Sequence, residues 1–277
     1  MAKIKVAAPA KINMTLKVDK VRPDGFHPID SIMCAIDLFD YIYIETVPCS
    51  FGGHGVINIL SNSSEIPNNS SNIAYKAAAA FRDAVCNSVC NKENINIYIE
   101  KNIPVAAGLA GGSTDAAAVV FGLNKIYNYP LNEHKINQIL ISLGSDLNFC
   151  YYGGAKRCKG RGEVLFDVEN EDEYKNMPIT LIKPKNLKIS AKEAYQRFDE
   201  LDETVSNLPN DLEFALLSHH REVQFLHDLG FQMSGSGPTF FCKSAFLESG
   251  IKEKLGNDYL IIENLKTVHY GVSADFV

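Results

Sequence analysis

The sequence predicts a mixed α+β fold, and three observations lead to this prediction. Apolar runs of strand length occur in both halves of the chain, segments with helical periodicity lie between them, and the two kinds of segment do not alternate regularly. Of the 277 residues, 46% are hydrophobic and 22% are charged, which is typical of a globular chain with a substantial core. Because the alternation is incomplete, we do not expect a doubly wound parallel sheet.

The first half of the chain contains most of the predicted strands. They are expected where apolar residues alternate or cluster, at residues 4–8, 13–18, 42–47, 56–60 and 94–99. The alanine-rich segment 72–87 has high helix propensity, and further helices are expected near 113–127 and 132–142. Segment 48–72 is rich in Ser, Gly and Asn, and we interpret it as loops around one short strand.

A second unit is expected to begin between residues 155 and 175, and we predict two domains, residues 1–155 and 156–277. Within the second domain, strands are predicted at residues 179–182, 240–243 and 259–263. Helices are predicted near residues 190–198, 210–218, 221–229 and 244–255.

Charge and cysteine content exclude several classes of protein. A net charge of −6 at pH 7 argues against a nucleic-acid partner held by bulk electrostatics. No signal region and no apolar stretch of membrane-spanning length is found, so we expect a cytoplasmic protein without a membrane partner. The cysteines have no zinc-site spacing, so we expect free thiols in a reducing compartment and no metal ligand among them. They are Cys34, Cys49, Cys86, Cys90, Cys150, Cys158 and Cys242.

The most informative segment is the glycine-rich run from Pro104 to Asp115. Its three glycines precede a stretch with helical periodicity, and Ser113 or Thr114 is expected to cap that helix, with Asp115 in its first turn. A glycine turn before a helix N-terminus lets backbone N–H groups approach an anion, so we expect phosphate there. The spacing of the glycines matches neither the Walker A loop nor the dinucleotide fingerprint.

Two distant segments accompany this loop. Lys11 and Asn13 interrupt an apolar strand-like region near the N-terminus, and strand alternation places both on the same side of the strand. Residues 234–239, Ser-Gly-Ser-Gly-Pro-Thr, precede a short apolar run and are typical of a second backbone turn. Each segment alone could be structural, but their combination in this order favours a functional site.

The three segments together resemble the motifs of the GHMP small-molecule kinases. Segments 22–31, 143–149 and 210–213 resemble in particular the branch that phosphorylates the cytidyl diphosphate ester of methylerythritol. The resemblance covers residues 5–245 and implies an ATP- and Mg²⁺-dependent kinase of a small-molecule substrate, acting as a monomer or homodimer. It also implies a two-domain GHMP kinase fold, with a ribosomal protein S5 domain 2-like N-terminal domain and a ferredoxin-like C-terminal domain.

The resemblance implies roles for individual residues. Asp146 would be the base that accepts the proton of the substrate hydroxyl, and the nearby cation Lys11 would stabilise its charge. The nucleotide would be bound by Lys101, Pro104, Ala106, Gly108, Leu109, Ala110, Gly111, Gly112, Ser113, Thr114 and Asp115. The substrate would be bound by Asn13, Phe26, His27, Tyr195, Gly235, Ser236 and Gly237. Asp115 and Ser113 could reach the metal–phosphate region, but no metal ligand is assigned.

Three of these residues would recognise the cytosine base. Phe26 and Tyr195 would stack on opposite faces of the ring, while His27 would hydrogen-bond to its pairing edge. Phe26 stands where the family usually has tyrosine, so the stacking surface is kept and a phenolic hydroxyl is lost.

Three alternatives remain open from the sequence. Another GHMP kinase, acting on mevalonate, homoserine or a sugar, would not need the aromatic residues that bind cytosine. A binding module without turnover would not need both Lys11 and Asp146. Lys101 could also be an ordinary surface lysine.

Overall fold

The computed structural model describes residues 2–49, 55–85, 92–201 and 206–276. Its strands are β1 Ala2–Val18, β2 Ile29–Pro48, β3 Ile57–Ser61, β4 Glu93–Glu100, β5 Ala155–Gly160, β6 Val164–Asp167, β7 Pro178–Pro184, β8 Gln232–Met233, β9 Phe240–Cys242, β10 Tyr259–Val268 and β11 Ser273–Phe276. Its helices are α1 Ile73–Val85, α2 Gly111–Ile126, α3 Glu133–Leu143, α4 Leu147–Tyr152, α5 Ala191–Asp199, α6 Asp211–Leu216, α7 Arg221–Asp228 and α8 Ser249–Leu255.

The strands of the described residues join in one largely antiparallel sheet. Its main path runs β11-β1-β2-β10-β7-β9-β8, while β4 and β5 pair with other parts of the long strand β2. The β3–β4 pair is parallel, and the remaining ladders are antiparallel. The prediction of a mixed fold without a doubly wound parallel sheet is therefore confirmed.

Strand β1 replaces the two separate strands expected at residues 4–8 and 13–18. It pairs with β2 along almost its whole length, with irregular register between Pro9 and Ala10 and again between Asn13 and Thr15. Such irregularities bend a strand locally and redirect its side chains. They lie on both sides of Lys11 and Asn13, and so the predicted polar pair occupies the bent section of β1.

Helices α1 and α2 cover one face of the sheet through small side chains. Ala74, Ala77 and Ala78 of α1 are fully buried, and Phe81 completes that face. In α2, a Cβ added at Gly122 would lie 2.6 Å from Cδ1 of Ile44, so a larger residue would force this buried side chain to shift. Close packing of α2 holds its N-terminus in a fixed position against β1 and β2. The glycine-rich run of residues 104–115, which we call the glycine loop, is fixed with it.

Several predicted boundaries were wrong for identifiable reasons. Strand β2 was predicted only at 42–47 because acidic and hydroxyl residues interrupt the alternation of its first half. Helix α4 was missed because it has six residues and ends before two glycines. Helix α8 begins at Ser249 rather than near 244, and β5, β6, β8 and β11 had not been predicted. The end of the helix predicted over 72–87 lies outside the described residues, as do Cys86 and Cys90.

The predicted division after residue 155 stays a prediction. Two strands from the second part of the chain pair with strands of the first, β5 with β2 and β11 with β1, and β6 extends the sheet by pairing with β5. Strand β10 also pairs with β2 through Thr267 and Val268. The sheet therefore continues across the predicted boundary.

Candidate active site

The three sequence motifs meet at the bent section of β1. The backbone N–H of Lys11 donates to the Leu109 carbonyl at 3.1 Å, which joins β1 to the glycine loop. The Ser234 hydroxyl donates to the Gly108 carbonyl at 3.2 Å and accepts from the Asn13 N–H at 3.3 Å. Segments separated by up to 221 residues are thus joined by direct hydrogen bonds.

The glycine loop has an unusual backbone. Ala106, Gly108 and Ala110 all have positive φ, at 51°, 72° and 58°. For alanine this conformation is strained, and such strain persists only where the surroundings hold it. At Gly108 a Cβ would lie 2.3 Å from the Ser234 carbonyl oxygen, so glycine is required there. Gly111 does not have positive φ. A Cβ at this position would instead crowd the side chains of Lys101 and Ile103.

Helix α2 begins at Gly111, with Ala110 as its N-cap and no side-chain capping bond. The expectation that Ser113 or Thr114 caps the helix is therefore wrong, because the N-cap lies three or four residues earlier. The expectation that Asp115 lies in the first turn is wrong for the same reason. The first N–H groups of α2 remain without intrahelical partners and are available to an anion.

Lys101 is buried, so the alternative of a surface lysine is wrong. Its Nζ donates to Asp115 Oδ2 at 2.8 Å and to Asp40, and the Asp40 carboxylate also accepts the N–H groups of Asn102 and Ile103. Burial raises the pKa of Asp115 well above its usual range, with Lys101 opposing that shift. For Lys101, burial opposes the charge, but the two carboxylates still raise its pKa. We call Lys101, Asp40 and Asp115 the buried triad.

The buried triad lies directly behind the glycine loop. A Cβ at Gly111 would lie 3.1 Å from Lys101 Nζ, so the ammonium group supports the first turn of α2. Asp115 is almost fully buried, and its Oδ1 has no hydrogen-bond partner among the described residues. Its other oxygen is paired with Lys101, and Asp115 does not line the cavity described below, so a role of Asp115 near the metal–phosphate region stays a prediction.

Lys11 and Asp146 form the central charged pair of the site. Lys11 is 4% exposed, and its Nζ lies 3.7 Å from Asp146 Oδ2. The same Nζ donates to Asn13 Oδ1 at 2.6 Å, which places both side chains on one side of β1 as alternation predicted. Asp146, at the N-terminus of α4, is partly exposed. A carboxylate that is open on one side and held by a buried cation on the other can accept a proton from a ligand hydroxyl.

His27 and Tyr195 lie in direct contact. Their rings stack with centroids 5.1 Å apart and planes 26° apart, so Tyr195 supports one face of the imidazole. His27 Nδ1 lies 2.8 Å from the Asp19 carbonyl oxygen, which can only accept, and Nε2 lies 3.3 Å from Asp199 Oδ1. Burial raises the pKa of Tyr195 to about 12. Phe26 is 47% exposed, which leaves its ring available to a ligand.

A cavity of about 780 Å³ joins these groups. Most of the expected catalytic and substrate residues line it, as do Gly108, Ala110 and Ser113 of the glycine loop. Those that do not line it are Lys101, Pro104, Ala106, Leu109, Gly111, Gly112, Thr114, Asp115 and Gly237. Among the lining residues that had been assigned no role, five are polar or charged: Ser145, Arg161, Lys192, Gln196 and Asp199.

Asn210 holds the third motif in position. Its side-chain amide donates to the carbonyls of Met233 and Gly235 at 2.9 and 2.8 Å, and its oxygen caps α6. In a trans peptide the C=O and the following N–H point in opposite directions. Because the Gly235 carbonyl faces Asn210, the N–H of Ser236 faces away from Asn210. In the sequence, only the family resemblance of segment 210–213 indicated Asn210. Its role depends on hydrogen bonds to residues 23 and 25 positions along the chain.

Comparison with known proteins agrees with this geometry. The model of the GHMP kinases N terminal domain matches residues 72–154. A 4-diphosphocytidyl-2-C-methyl-D-erythritol kinase of Syntrophomonas wolfei is 37% identical over 84% of this chain and 86% of its own length. One from Clostridium tetani is 36% identical over 86% of this chain and 90% of its own. A crystal structure of 4-(cytidine 5'-diphospho)-2C-methyl-D-erythritol kinase has a TM-score of 0.75 at 24% identity and covers 96% of this chain and 100% of that chain.

A glycine loop at a helix N-terminus, together with a pair of a buried lysine and a partly exposed aspartate in this fold, defines a GHMP-type kinase. The sequence identity to each of the two bacterial relatives extends over most of this chain and most of the relative. The chain therefore belongs to the family of 4-diphosphocytidyl-2-C-methyl-D-erythritol kinases. Among the described residues, no helix combines the length and apolar character needed to cross a membrane.

Proposed function

We propose that this chain transfers the γ-phosphoryl group of ATP to the 2-hydroxyl of 4-diphosphocytidyl-2-C-methyl-D-erythritol, a step of the non-mevalonate isoprenoid pathway. The observation that carries the proposal is the convergence of the glycine loop, the Lys11–Asp146 pair and His27 on one cavity. The family to which the chain belongs has this activity by name.

The reaction requires little covalent work from the protein, because phosphoryl transfer depends on positioning and on neutralisation of charge. The acceptor O–H bond breaks and its proton passes to Asp146, while the oxygen bonds to the γ-phosphorus. The bond between that phosphorus and the bridging oxygen breaks, and ADP leaves with the electron pair. Lys11 holds Asp146 in place, and the backbone N–H groups of Gly111, Gly112 and Ser113 bind ATP phosphates.

We propose Mg²⁺ as a second cofactor beside ATP. The hydroxyl of Ser113 lies on the cavity wall at the start of α2 and is a hard oxygen donor, which fits Mg²⁺. Asp115 is committed to Lys101 and is not proposed as a ligand. Since Mg²⁺ keeps several waters and binds substrate phosphates, one protein hydroxyl is sufficient. The ion would neutralise charge on the phosphates.

We also propose the division into an S5 domain 2-like domain, residues 1–155, and a ferredoxin-like domain, residues 156–277. Two clusters of buried residues support it: one comes mainly from residues 4–150, and the other mainly from residues 182–255. A cytoplasmic location is supported by the free state of the five described cysteines. The proposed assembly remains a monomer or homodimer, with no nucleic-acid or membrane partner.

ADP release is the direct test of the activity. We expect the purified protein to release ADP with the cytidyl substrate and ATP, and to release much less with methylerythritol phosphate, mevalonate or homoserine. The discrimination should arise because only the first acceptor carries a base for His27 and Phe26. Equal or faster turnover of mevalonate or homoserine would contradict the proposal and indicate another GHMP kinase activity.

Replacing His27 with alanine should weaken binding of the cytidyl substrate and leave ATP affinity nearly unchanged. Loss of the ring leaves polar base atoms unpaired, at a cost of about 1–3 kcal/mol or roughly a five- to 150-fold loss of affinity. Phe26→Ala should act in the same direction through lost stacking, worth about 1–3 kcal/mol per base. Both dissociation constants should be measured by calorimetry on each variant.

His134→Ala is the matched control, because His134 is an exposed histidine that contacts Gln138 on α3. It should change neither affinity. Equal losses for substrate and ATP in the His27 variant, or no loss in either, would contradict the role of His27 in base recognition.

A further inference from the structure

The cavity is lined by an arginine, Arg161, to which the reaction described above assigns no role. Arg161 lies in the turn between β5 and β6, flanked by Gly160 and Gly162. Both glycines have positive φ, 72° and 119°, and the Gly162 N–H closes the turn by donating to the Lys159 carbonyl at 3.1 Å. The tight turn presents the arginine side chain to the cavity wall, which it lines.

The guanidinium group of Arg161 is oriented but not neutralised by hydrogen bonds. Its central carbon lies 4.8 Å from the centre of the Phe26 ring, a cation–π contact. Its Nε forms an ion pair with Glu163 Oε1 at 3.8 Å, longer than a hydrogen bond, while Glu163 Oε2 accepts the backbone N–H of Arg161 at 2.6 Å. Among the described residues, the guanidinium donates no hydrogen bond, and its side chain is only 26% exposed. Its N–H donors are therefore free to bind a ligand.

Arg161 lies between the two ends of the cavity. On one side it contacts Phe26, where the base is proposed to bind. On the other side, a Cβ at the next residue, Gly162, would lie 3.6 Å from Asp146 Oδ1, next to the reacting hydroxyl. A second cation of the cavity, the buried Lys11, is already paired with Asn13 and Asp146. Lys192 also lines the cavity but is exposed.

The acceptor has a diphosphate group between its base and its reacting alcohol. We propose that Arg161 binds this diphosphate and so sets the distance between the base and Asp146. The proposal rests on the proposed function and adds a substrate-binding residue to it. A planar guanidinium donates two parallel hydrogen bonds to phosphate oxygens, and contact with Phe26 fixes the plane of that fork before the ligand arrives.

Inhibition by cytidine and by CDP separates the base from the diphosphate. Both compounds should compete with the acceptor in the wild-type protein, and CDP should compete more strongly. In Arg161→Gln, we expect the Ki of CDP and the KM of the acceptor to rise about 10- to 100-fold, since hydrogen bonds to charged groups are lost. The Ki of cytidine and the KM of ATP should stay within about twofold. Arg161→Lys should recover part of the loss, because it keeps the charge without the fork.

Arg157→Gln is the control, because Arg157 lies on β5 and is paired with Asp30 at 2.5 Å, outside the cavity. It should leave all four constants unchanged. An unchanged Ki for CDP in folded Arg161→Gln would overturn the proposal, and so would equal losses for cytidine and CDP. Failure of the proposed function is a different result, since the wild-type protein would then release no ADP with the cytidyl acceptor.

Discussion

Replacement of Asp146 by asparagine is expected to lower kcat by about 10²- to 10⁴-fold, the usual contribution of a positioned general base. The asparagine keeps the size of the side chain and its place beside Lys11, but its amide cannot accept the proton of the acceptor hydroxyl. Binding of ATP and of the cytidyl substrate should change little, because neither the glycine loop nor His27 is altered. Single-turnover kinetics and equilibrium binding measure the two effects separately.

Asp167→Asn is the matched control for this change. Asp167 is 91% exposed, is paired with Lys156 at 2.5 Å, and does not line the cavity. The control should retain wild-type kcat. If folded Asp146→Asn kept more than about half of the wild-type turnover, Asp146 would not be the base.

Replacement of Lys101 by methionine is expected to produce the largest loss of stability. The change leaves two buried carboxylates, Asp40 and Asp115, without their cation, and breaking a buried ion pair in this way typically costs about 3–5 kcal/mol. The free energy of unfolding, measured by urea denaturation, should fall by this amount. ATP affinity should fall as well, since the ammonium group of Lys101 supports the first turn of α2.

The pH dependence of the Lys101 variant follows from the pKa of Asp115. Burial already raises this pKa in the folded protein, and removal of Lys101 raises it further. A carboxyl with a folded pKa above its unfolded value destabilises the fold once the pH is above the unfolded pKa, and the loss shrinks as the pH falls through the folded pKa. The variant should therefore lose less stability at pH 5 than at pH 8.

Two further variants make this prediction specific. Adding Asp115→Asn to Lys101→Met should restore part of the stability, because it removes one unpaired charge. Lys3→Met, which breaks the exposed pair with Glu45, should cost less than about 1 kcal/mol. A similar small cost for Lys101→Met would contradict the structural role of the buried triad.

Local patterns predicted the parts of the site that lie on regular elements. The alternation of β1 put Lys11 and Asn13 on one side, and their hydrogen bond bears this out. The helix after the glycine loop was found from its apolar spacing, although its start was placed too late. That error arose because Ala110, rather than a glycine, adopts the left-handed conformation immediately before α2.

Contacts between distant residues could not be predicted in the same way. The sequence analysis assigned no role to Asp40, yet it pairs with Lys101 across 61 residues. Arg161 was likewise assigned no role, because nothing in the neighbouring sequence indicates which cavity its turn will face. The contact of Tyr195 with His27 had not been predicted, since the packing of α5 decides which ring Tyr195 meets, while its place opposite Phe26 across a bound base stays a prediction.

The hydrogen bond between Asn13 and Ser234 has a consequence for the order in which the chain acquires its structure. During synthesis β1 and β2 can pair early, but the partners of β2 at Ala35 and Ile36 are Val268 and Thr267 of β10. An incomplete chain therefore carries an unpaired strand edge, the type of surface that promotes aggregation. Nucleotide binding cannot protect such a chain, because the glycine loop gains its support at Ser234 late in synthesis. Stabilisation by ligand is thus available only after nearly all of the chain has been made.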